Sequence, residues 1–220
     1  MQTPLWLYDV VSAYPNALIS LPSMRDGRWR AHDVVDRGQI EQEAIKANIL
    51  SMFRVKWKSP TWSKKDNRGV PWFPFPYRTR RKSILFPNEG HAWIMRDELI
   101  SAFKWARRFD CADCITAEEW NEFIPGNDEK PYAFVQELYE MRRVAKTKKE
   151  YDIVEKAIKL TLNSLYGKTV QSVGGDEDNA PSCACPYYGA AITANCRSRL
   201  VEAAILVFCH KHLNPASARL

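Results

Sequence analysis

The stretch Lys159-Leu-Thr-Leu-Asn163-Ser-Leu-Tyr166-Gly167 decides how this chain folds. Its leucines have helical spacing, and Lys159, Asn163 and Tyr166 recur at i, i+4 and i+7, so these three share one helix face. We expect Gly167 to end the helix at a point where a side chain would obstruct a ligand. A cation, an amide and an aromatic ring on one face suit contact with phosphates and bases, but such faces are more often simply solvated.

A basic helical hairpin precedes and includes this stretch. Proline is tolerated in the first turn of a helix, so Pro131 predicts the start of the first helix. Asp152 and Glu155 resemble a capping box and predict the start of the second, after a turn near Tyr151. We expect two antiparallel helices joined by apolar stripes. The stripe residues are Phe134, Leu138, Met141 and Ala145, then Val154, Ile158, Leu162 and Leu165. The cationic stripe beside them consists of Arg142, Lys146 and Lys149.

Near the N-terminus, the apolar run Leu5-Trp-Leu-Tyr8 leads directly into Asp9. A buried strand that ends at a site has this pattern. A carboxylate in such a position is either the cap of the following helix or a metal ligand, and the residues alone favour the cap. Pro15 opens a short helix, which Pro22 and Gly27 close.

Further elements follow from apolar periodicity, which predicts helices near residues 38–50, 97–107 and 188–212 and strands near residues 52–58, 83–86, 92–95, 113–124 and 169–173. Helices and strands in this mixture predict an α+β fold.

The segment from Arg54 to Lys82 is strongly basic, with ten Lys or Arg residues against one Asp. Its interleaved aromatic residues are Trp57, Trp62, Trp72, Phe73, Phe75 and Tyr77. Basic groups attract phosphates and aromatic rings stack on bases, so the segment could follow a strand of DNA. A β-hairpin with a solvated basic edge explains the same residues equally well.

Composition limits the function classes. The 220 residues are 45% hydrophobic and carry a net charge of +6 with a pI near 9.0, which favours a polyanionic partner. No apolar run reaches the length of a membrane span and no signal peptide is recognisable, so we expect a cytoplasmic protein without a membrane partner. The six cysteines are then expected to be reduced. The pair Cys111 and Cys114 with Cys183 and Cys185 fits zinc spacing poorly, and buried thiols are the favoured interpretation.

The stretch Leu7-Tyr8-Asp9-Val10-Val11-Ser12-Ala13-Tyr14-Pro15-Asn16 and the stretch from Lys159 to Gly167 together resemble two signatures of family B DNA polymerases. The first is similar to motif A, D-x-x-S-x-Y-P, and the second to motif B, K-x-x-x-N-S-x-Y-G. They occur in the family order, and the likeness is greatest to the protein-primed phage and plasmid branch. The resemblance implies a palm sheet with an inserted antiparallel two-helix fingers subdomain. Its expected parts are residues 1–130 (palm), 131–167 (fingers with motif B) and 168–220 (palm return segment).

The same resemblance implies the site. Asp9 and the carbonyl of Val10 would bind two Mg²⁺ ions, with Asp9 and Lys159 as the catalytic residues. The implied substrate-binding residues are Val10, Ser12, Ala13, Tyr14, Arg142, Lys146, Lys159 and Asn163. Tyr14 would exclude a 2′-hydroxyl, and Ala13 stands where many relatives have leucine.

DNA contacts are implied as well. Tyr166 would lie against the nascent base pair, and Gly167 would allow close approach of the template. Thr193-Ala-Asn-Cys196-Arg197 resembles the T-x-x-G/A-R motif, whose Thr193 and Arg197 would touch template phosphates. Cys196 replaces the usual small residue. The implied partners are primer–template DNA, dNTPs and a terminal protein.

A second catalytic aspartate is expected in a D-T-D-S hairpin beyond the Thr-Arg motif, yet no aspartate follows Asp178. Two-metal chemistry needs carboxylates on both sides of the ions. We therefore expect a polymerase segment that is inactive as it stands, either truncated or completed by a second polypeptide that carries the missing motif and the thumb. The alternative is a non-catalytic module that binds DNA or dNTPs.

Overall fold

The computed structural model describes residues 13–33, 39–59, 72–81, 83–170 and 184–213, with side chains of the last helix through residue 206. These ranges form an α+β fold, as the sequence predicts. The helices are α1 (Ala13–Ile19), α2 (Ile40–Lys46), α3 (Arg96–Arg107), α4 (Phe134–Ala145), α5 (Asp152–Val170) and α6 (Pro186–Leu213). The strands are β1 (Arg28–Asp33), β2 (Met52–Lys58), β3 (Tyr77–Arg78), β4 (Ile84–Leu85), β5 (Glu89–Met95) and β6 (Ile115–Ile124).

Four strands form one antiparallel sheet in the order β1-β6-β2-β5, and β3 pairs with β4 in a separate hairpin. Strand β2 alternates between buried and exposed residues, so Phe53, Val55 and Trp57 point into the core. In the ladder, Phe53 lies between Ile94 of β5 and Trp120 of β6. The sheet thus presents one apolar face to the helices.

Two adjoining cores hold the helices in place. Buried residues of α2 and α3 pack with the apolar face of the sheet, where Trp105 is fully buried and its Nε1 donates to the Trp72 carbonyl at 2.7 Å. A second core joins α1 to α6 through Leu18 and Ile192, together with Phe123 of β6. Helix α1, which carries the end of the first sequence motif, is therefore fixed against α6.

Helices α4 and α5 form the predicted antiparallel hairpin, linked by a 3-10 turn at Lys149–Tyr151. Its small core consists of Val135 from α4 and Ile158 and Leu162 from α5. The first helix begins at Phe134, three residues later than Pro131 suggested, because residues 131–133 form a turn.

The predicted apolar stripes are partly wrong. Phe134, Met141 and Val154 are 45%, 55% and 46% exposed. The buried face of α4 instead begins at Val135, which is one residue away from the predicted stripe and points into the small core. Successive residues of a helix are rotated by about 100° around its axis, so an error of one residue places the predicted stripe on a different face.

The predicted capping box at the start of α5 uses its carboxylates differently. Asp152 accepts a hydrogen bond from Lys156 at 2.6 Å, and Glu155 accepts one from Arg142 at 2.8 Å. Both carboxylates therefore pair with basic side chains: Asp152 with Lys156 of the same helix, and Glu155 with Arg142 of α4.

Gly167 does not end α5, which continues to Val170, so this prediction is wrong. The strand predicted near residues 169–173 is also wrong at its start, because Thr169 is helical and its hydroxyl donates to the Tyr166 carbonyl at 2.7 Å. Residues 171–173 of that prediction lie outside the described residues.

Most of the described aromatic residues of the basic segment belong to the core. Trp57, Phe73 and Phe75 are at most 4% exposed, and Trp72 packs on Trp105 with ring centroids 4.7 Å apart. These rings stabilise the fold and are not available to stack on bases. Tyr77 is the exception at 58% exposed, while Trp62 lies outside the described residues.

Edge strand β1 was not predicted, because its apolar alternation is limited to Trp29 and Ala31 and five of its six residues are exposed. Polar edge strands of this kind protect a sheet from pairing with other chains. In the described parts of the chain, none of the helices is long and apolar enough to cross a bilayer.

The described cysteines Cys111, Cys114, Cys185 and Cys196 are free thiols. Burial, together with hydrogen bonding to Cys111, raises the pKa of Cys114 to about 12, so this thiol stays protonated. Cys183 of the zinc alternative lies outside the described residues.

Candidate functional site

Two tyrosines from distant motifs meet at the centre of the site. Tyr14 at the start of α1 and Tyr166 near the end of α5 stack with ring centroids 4.3 Å apart and an interplanar angle of 10°. Tyr14 is 41% exposed, whereas Tyr166 is partly buried. Burial raises the pKa of the Tyr166 hydroxyl, and the neighbouring Tyr14 adds to the effect. The Tyr166 hydroxyl therefore stays protonated, and the two stacked rings form one flat aromatic surface of which Tyr14 is the more exposed part.

Arg197 of α6 lies beside this stack, since its charge acts on the Tyr166 hydroxyl and opposes the rise in its pKa. Its Nε donates to Oε1 of Glu98 at 2.5 Å, and the Glu98 side chain is 5% exposed. Burial raises the pKa of Glu98, while the charge of Arg197 lowers it. The carboxylate thus fixes the guanidinium, whose side chain is still 35% exposed.

The other residues of the Thr-Arg motif face their own helix or the core. The Thr193 hydroxyl donates to the carbonyls of Gly189 and Ala190, both at 3.0 Å. Cys196 is 8% exposed and packs in the core between α1 and α6. Its size therefore does not obstruct the face that carries Arg197.

Arg142, which the sequence predicts in a cationic stripe with Lys146 and Lys149, is largely shielded from solvent and forms an ion pair. Its Nε donates to Glu155 Oε1 at 2.8 Å, and the two side chains are only 13% and 14% exposed. One turn along α4, Lys146 lines an open cleft of about 400 Å³ together with Arg142 and Asn16 of α1. The ion pair joins the two helices, and Lys146 supplies positive charge at the cleft.

Lys159 and Asn163 are exposed on α5, one and two turns beyond Glu155. Because the helices are antiparallel, Lys146 lies toward the tip of the hairpin and Lys159 toward its base. They are separated by about 12 Å along the hairpin axis, with the Arg142–Glu155 pair between them.

Gly167 is exposed in the last turn of α5, and a Cβ added there would meet no atom within 4 Å. Glycine costs about 1 kcal/mol relative to alanine inside a helix. The described part of the fold therefore gives no reason for glycine at this position.

Sequence reasoning missed Glu98 as the partner of Arg197. A signal was present, because Glu98 shares a face with Ala102 and Trp105 at i+4 and i+7, and both are fully buried. An acidic residue on an apolar face predicts a buried partner of opposite charge. A second polar link joins the same helices, since Asn195 donates to Asp97 at 2.8 Å.

Asp9, Val10 and Ser12 of the first motif lie outside the described residues, whereas Ala13 and Tyr14 lie inside α1. Within the described ranges, no group of three or more His, Cys, Asp or Glu residues could hold a metal ion.

This α+β chain combines an aromatic pair from two motifs, an arginine and a cationic helical hairpin. These are features of a nucleic-acid polymerase. The model of a family described as DNA polymerase type B, organellar and viral, matches residues 1–178. The chain belongs to this family of family B DNA polymerases. Searches of the curated proteins and of the solved structures find no significant match. Membership of the protein-primed branch stays a prediction.

Proposed function

We propose that residues 1–220 form the part of a DNA polymerase that binds the incoming dNTP against primer–template DNA. The parent reaction is nucleotidyl transfer from a dNTP to a primer 3′-hydroxyl. The observation that carries this proposal is the Tyr14–Tyr166 stack with Arg197 beside it, because it unites three motifs that are far apart in the sequence.

The aromatic pair supplies the surface for the nucleotide. Tyr166 would lie against the nascent base pair, and Tyr14, the more exposed ring, would occupy the volume that a 2′-hydroxyl needs. Aromatic faces accept any base, so such a surface supports binding without selecting a sequence. Selection of the base would then come from the template.

The helical hairpin supplies positive charge for the triphosphate. Phosphoryl transfer is catalysed mainly by positioning and charge neutralisation. We assign direct phosphate contacts to Lys146 and Lys159, which are exposed. Arg142 would hold the two helices together through Glu155 and add to the local positive charge. Asn163, on the same face as Lys159, would contact the substrate.

Family B polymerases generally use Mg²⁺. Asp9 and the Val10 carbonyl would contribute one side of the metal site, and bound Mg²⁺ would activate the primer hydroxyl and neutralise the triphosphate. Residues 179–220 contain no aspartate for the other side. The second carboxylate would have to come from sequence other than these 220 residues, for instance from a second polypeptide.

A polypeptide of these 220 residues is therefore expected to give no primer extension with Mg²⁺ and dNTPs. Gel analysis of an extended primer checks this, with Asp9→Asn as the matched variant. Extension by the wild-type chain that Asp9→Asn abolishes would contradict the proposal that a carboxylate is missing.

Gly167→Ala separates a structural role of this glycine from a role in binding. The variant is expected to be as stable as the wild type or more stable by up to about 1 kcal/mol, because alanine favours the helix and meets no neighbour. If the template approaches this backbone, the added methyl group should weaken primer–template binding by about tenfold. Thermal unfolding and fluorescence anisotropy with labelled DNA measure the two effects.

The matched control is Ser164→Ala, an exposed position on the same helix whose hydroxyl bonds only to the Thr161 carbonyl in the described structure. Its DNA affinity should equal that of the wild type. If Gly167→Ala binds DNA as tightly as the wild type, the template does not contact this face of α5. If the wild type shows no salt-dependent DNA binding, the proposed function is wrong.

A further inference from the structure

Hydrogen bonds join the two strands of the β3–β4 hairpin close to its turn. Tyr77 pairs with Leu85 and Arg78 with Ile84 in an antiparallel ladder. Beyond the ladder, the Thr79 amide donates to the Ser83 carbonyl at 2.9 Å, and the Ser83 amide donates to the Thr79 hydroxyl at 3.2 Å. Arg80 and Arg81 follow Thr79 in the turn, so both arginines lie at the end of the hairpin.

The arginines of this hairpin differ from the cations of the main sheet. Arg54, Lys56 and Lys58 of β2 each contact a glutamate on a neighbouring strand. Arg78, Arg80 and Arg81 are exposed and make no ion pair or hydrogen bond within the described ranges. The sequence also has no Asp or Glu between Asp66 and Glu89. Among the described residues, the positive charge of the hairpin is therefore not compensated by an acidic side chain.

The hairpin also exposes apolar side chains beside its arginines. The exposed fractions are 58% for Tyr77, 56% for Ile84, 52% for Leu85 and 45% for Phe86. Uncompensated arginines next to exposed aromatic rings suit a partner that has both phosphates and accessible bases. In a duplex the bases are already stacked on one another, so an unpaired strand fits this combination better.

The base of the hairpin lies beside the proposed template contact. Phe86 and Trp72 line a cavity of about 140 Å³ together with Arg197 and Leu200 of α6. Trp72 in turn packs on Trp105 in the core. The hairpin is thus anchored in the fold next to Arg197, and its tip extends about 17 Å from Phe86 at the usual rise of a strand.

We propose that the hairpin formed by residues 77–85 is a second DNA-binding element, which contacts the unpaired template strand beyond Arg197. Its arginines bind phosphates and Tyr77 stacks on a base. The inference rests on the proposed function, in that Arg197 marks where the template leaves the nucleotide site.

The test is a triple variant, Arg78→Ala with Arg80→Ala and Arg81→Ala, in an anisotropy titration with primer–template DNA carrying an unpaired template overhang. Three lost phosphate contacts should reduce the slope of log K against log salt by about two and lower affinity at 0.1 M salt by about a hundredfold. Tyr77→Ala alone should weaken binding by about tenfold through lost stacking.

A control variant removes the same charge elsewhere, by Arg28→Ala, Arg108→Ala and Lys130→Ala at exposed positions on other surfaces. Its slope should stay within about one of the wild type. Blunt duplex of equal length is the control ligand, and the triple variant should lose much less affinity for it.

Three outcomes decide the inference. A selective loss with overhang DNA supports it. An unchanged slope in the triple variant, or an equal loss with blunt duplex, overturns the hairpin as a template-strand element while wild-type DNA binding leaves the proposed function intact. If the wild type binds no DNA, both the proposed function and this inference fail.

Discussion

Arg197→Ala is expected to lower the free energy of unfolding by about 3 kcal/mol near neutral pH, the low end for breaking a buried ion pair. The low end applies because a third of the Arg197 side chain is exposed. Glu98 would be left as a buried carboxylate without the cation that its Oε1 contacts at 2.5 Å. Most of the lost stability therefore comes from the unpaired carboxylate of Glu98 and less of it from the missing arginine.

The loss should depend on pH. Burial raises the pKa of Glu98 above its ordinary value and Arg197 opposes that rise, so the variant has the higher pKa. A carboxyl with a raised pKa in the folded state binds its proton more tightly there than in the unfolded chain. Its contribution is most favourable below the unfolded pKa and declines as pH rises toward the folded pKa. The difference between variant and wild type should thus shrink in acid, where Glu98 is neutral.

Urea unfolding of both proteins in acid and near neutral pH measures this difference. The double variant Glu98→Gln with Arg197→Ala is the control, because it removes the buried charge and should recover part of the lost stability. A loss that is equal at both pH values and is not relieved by Glu98→Gln would contradict the assigned role of the ion pair.

Lys146→Ala with Lys159→Ala is expected to weaken dNTP binding by about a hundredfold, since hydrogen bonds to charged groups contribute about 1.5–3 kcal/mol each. Both lysines are exposed, and the pair that separates them, Arg142 and Glu155, stays intact. Stability should change by less than about 0.5 kcal/mol, as expected for exposed positions. Equilibrium titration with a fluorescent dNTP measures the loss.

Lys156→Ala is the matched control for Lys159→Ala. Lys156 is exposed on the same helix, three residues earlier, but it donates to Asp152 at 2.6 Å. Its removal should leave dNTP affinity within about threefold of the wild type. If Lys156→Ala loses as much dNTP affinity as the double variant Lys146→Ala with Lys159→Ala, the effect is one of general charge and not of a phosphate site.

Secondary structure was predictable where the signal is local. The helix predicted near residues 188–212 is α6, and the strand predicted near residues 52–58 is β2. In β2 the apolar alternation reports the buried face directly, whereas the apolar residues of α6 are not confined to one face of the helix. Strand β1 gave only a weak signal, because its apolar residues are limited to Trp29 and Ala31. Its pairing with β6 stabilises it.

Candidate site residues could be named from the sequence, but the contacts between them could not. The motifs identified Tyr14, Tyr166 and Arg197, but their proximity depends on the packing of α1, α5 and α6. The partners Glu155 and Glu98 come from other helices, so spacing along the chain could not reveal them. The local sequence predicted that the helix ends at Gly167, whereas α5 continues to Val170.

Template-directed selection of a dNTP is the most direct test of a site built on Tyr14, Tyr166 and the cationic hairpin. The measurement is equilibrium binding of complementary and non-complementary dNTPs to the protein with primer–template DNA whose primer lacks a 3′-hydroxyl. The complementary dNTP is expected to bind at least about tenfold more tightly. Equal affinity for the two nucleotides, or no dNTP binding in the presence of bound DNA, would contradict the assignment.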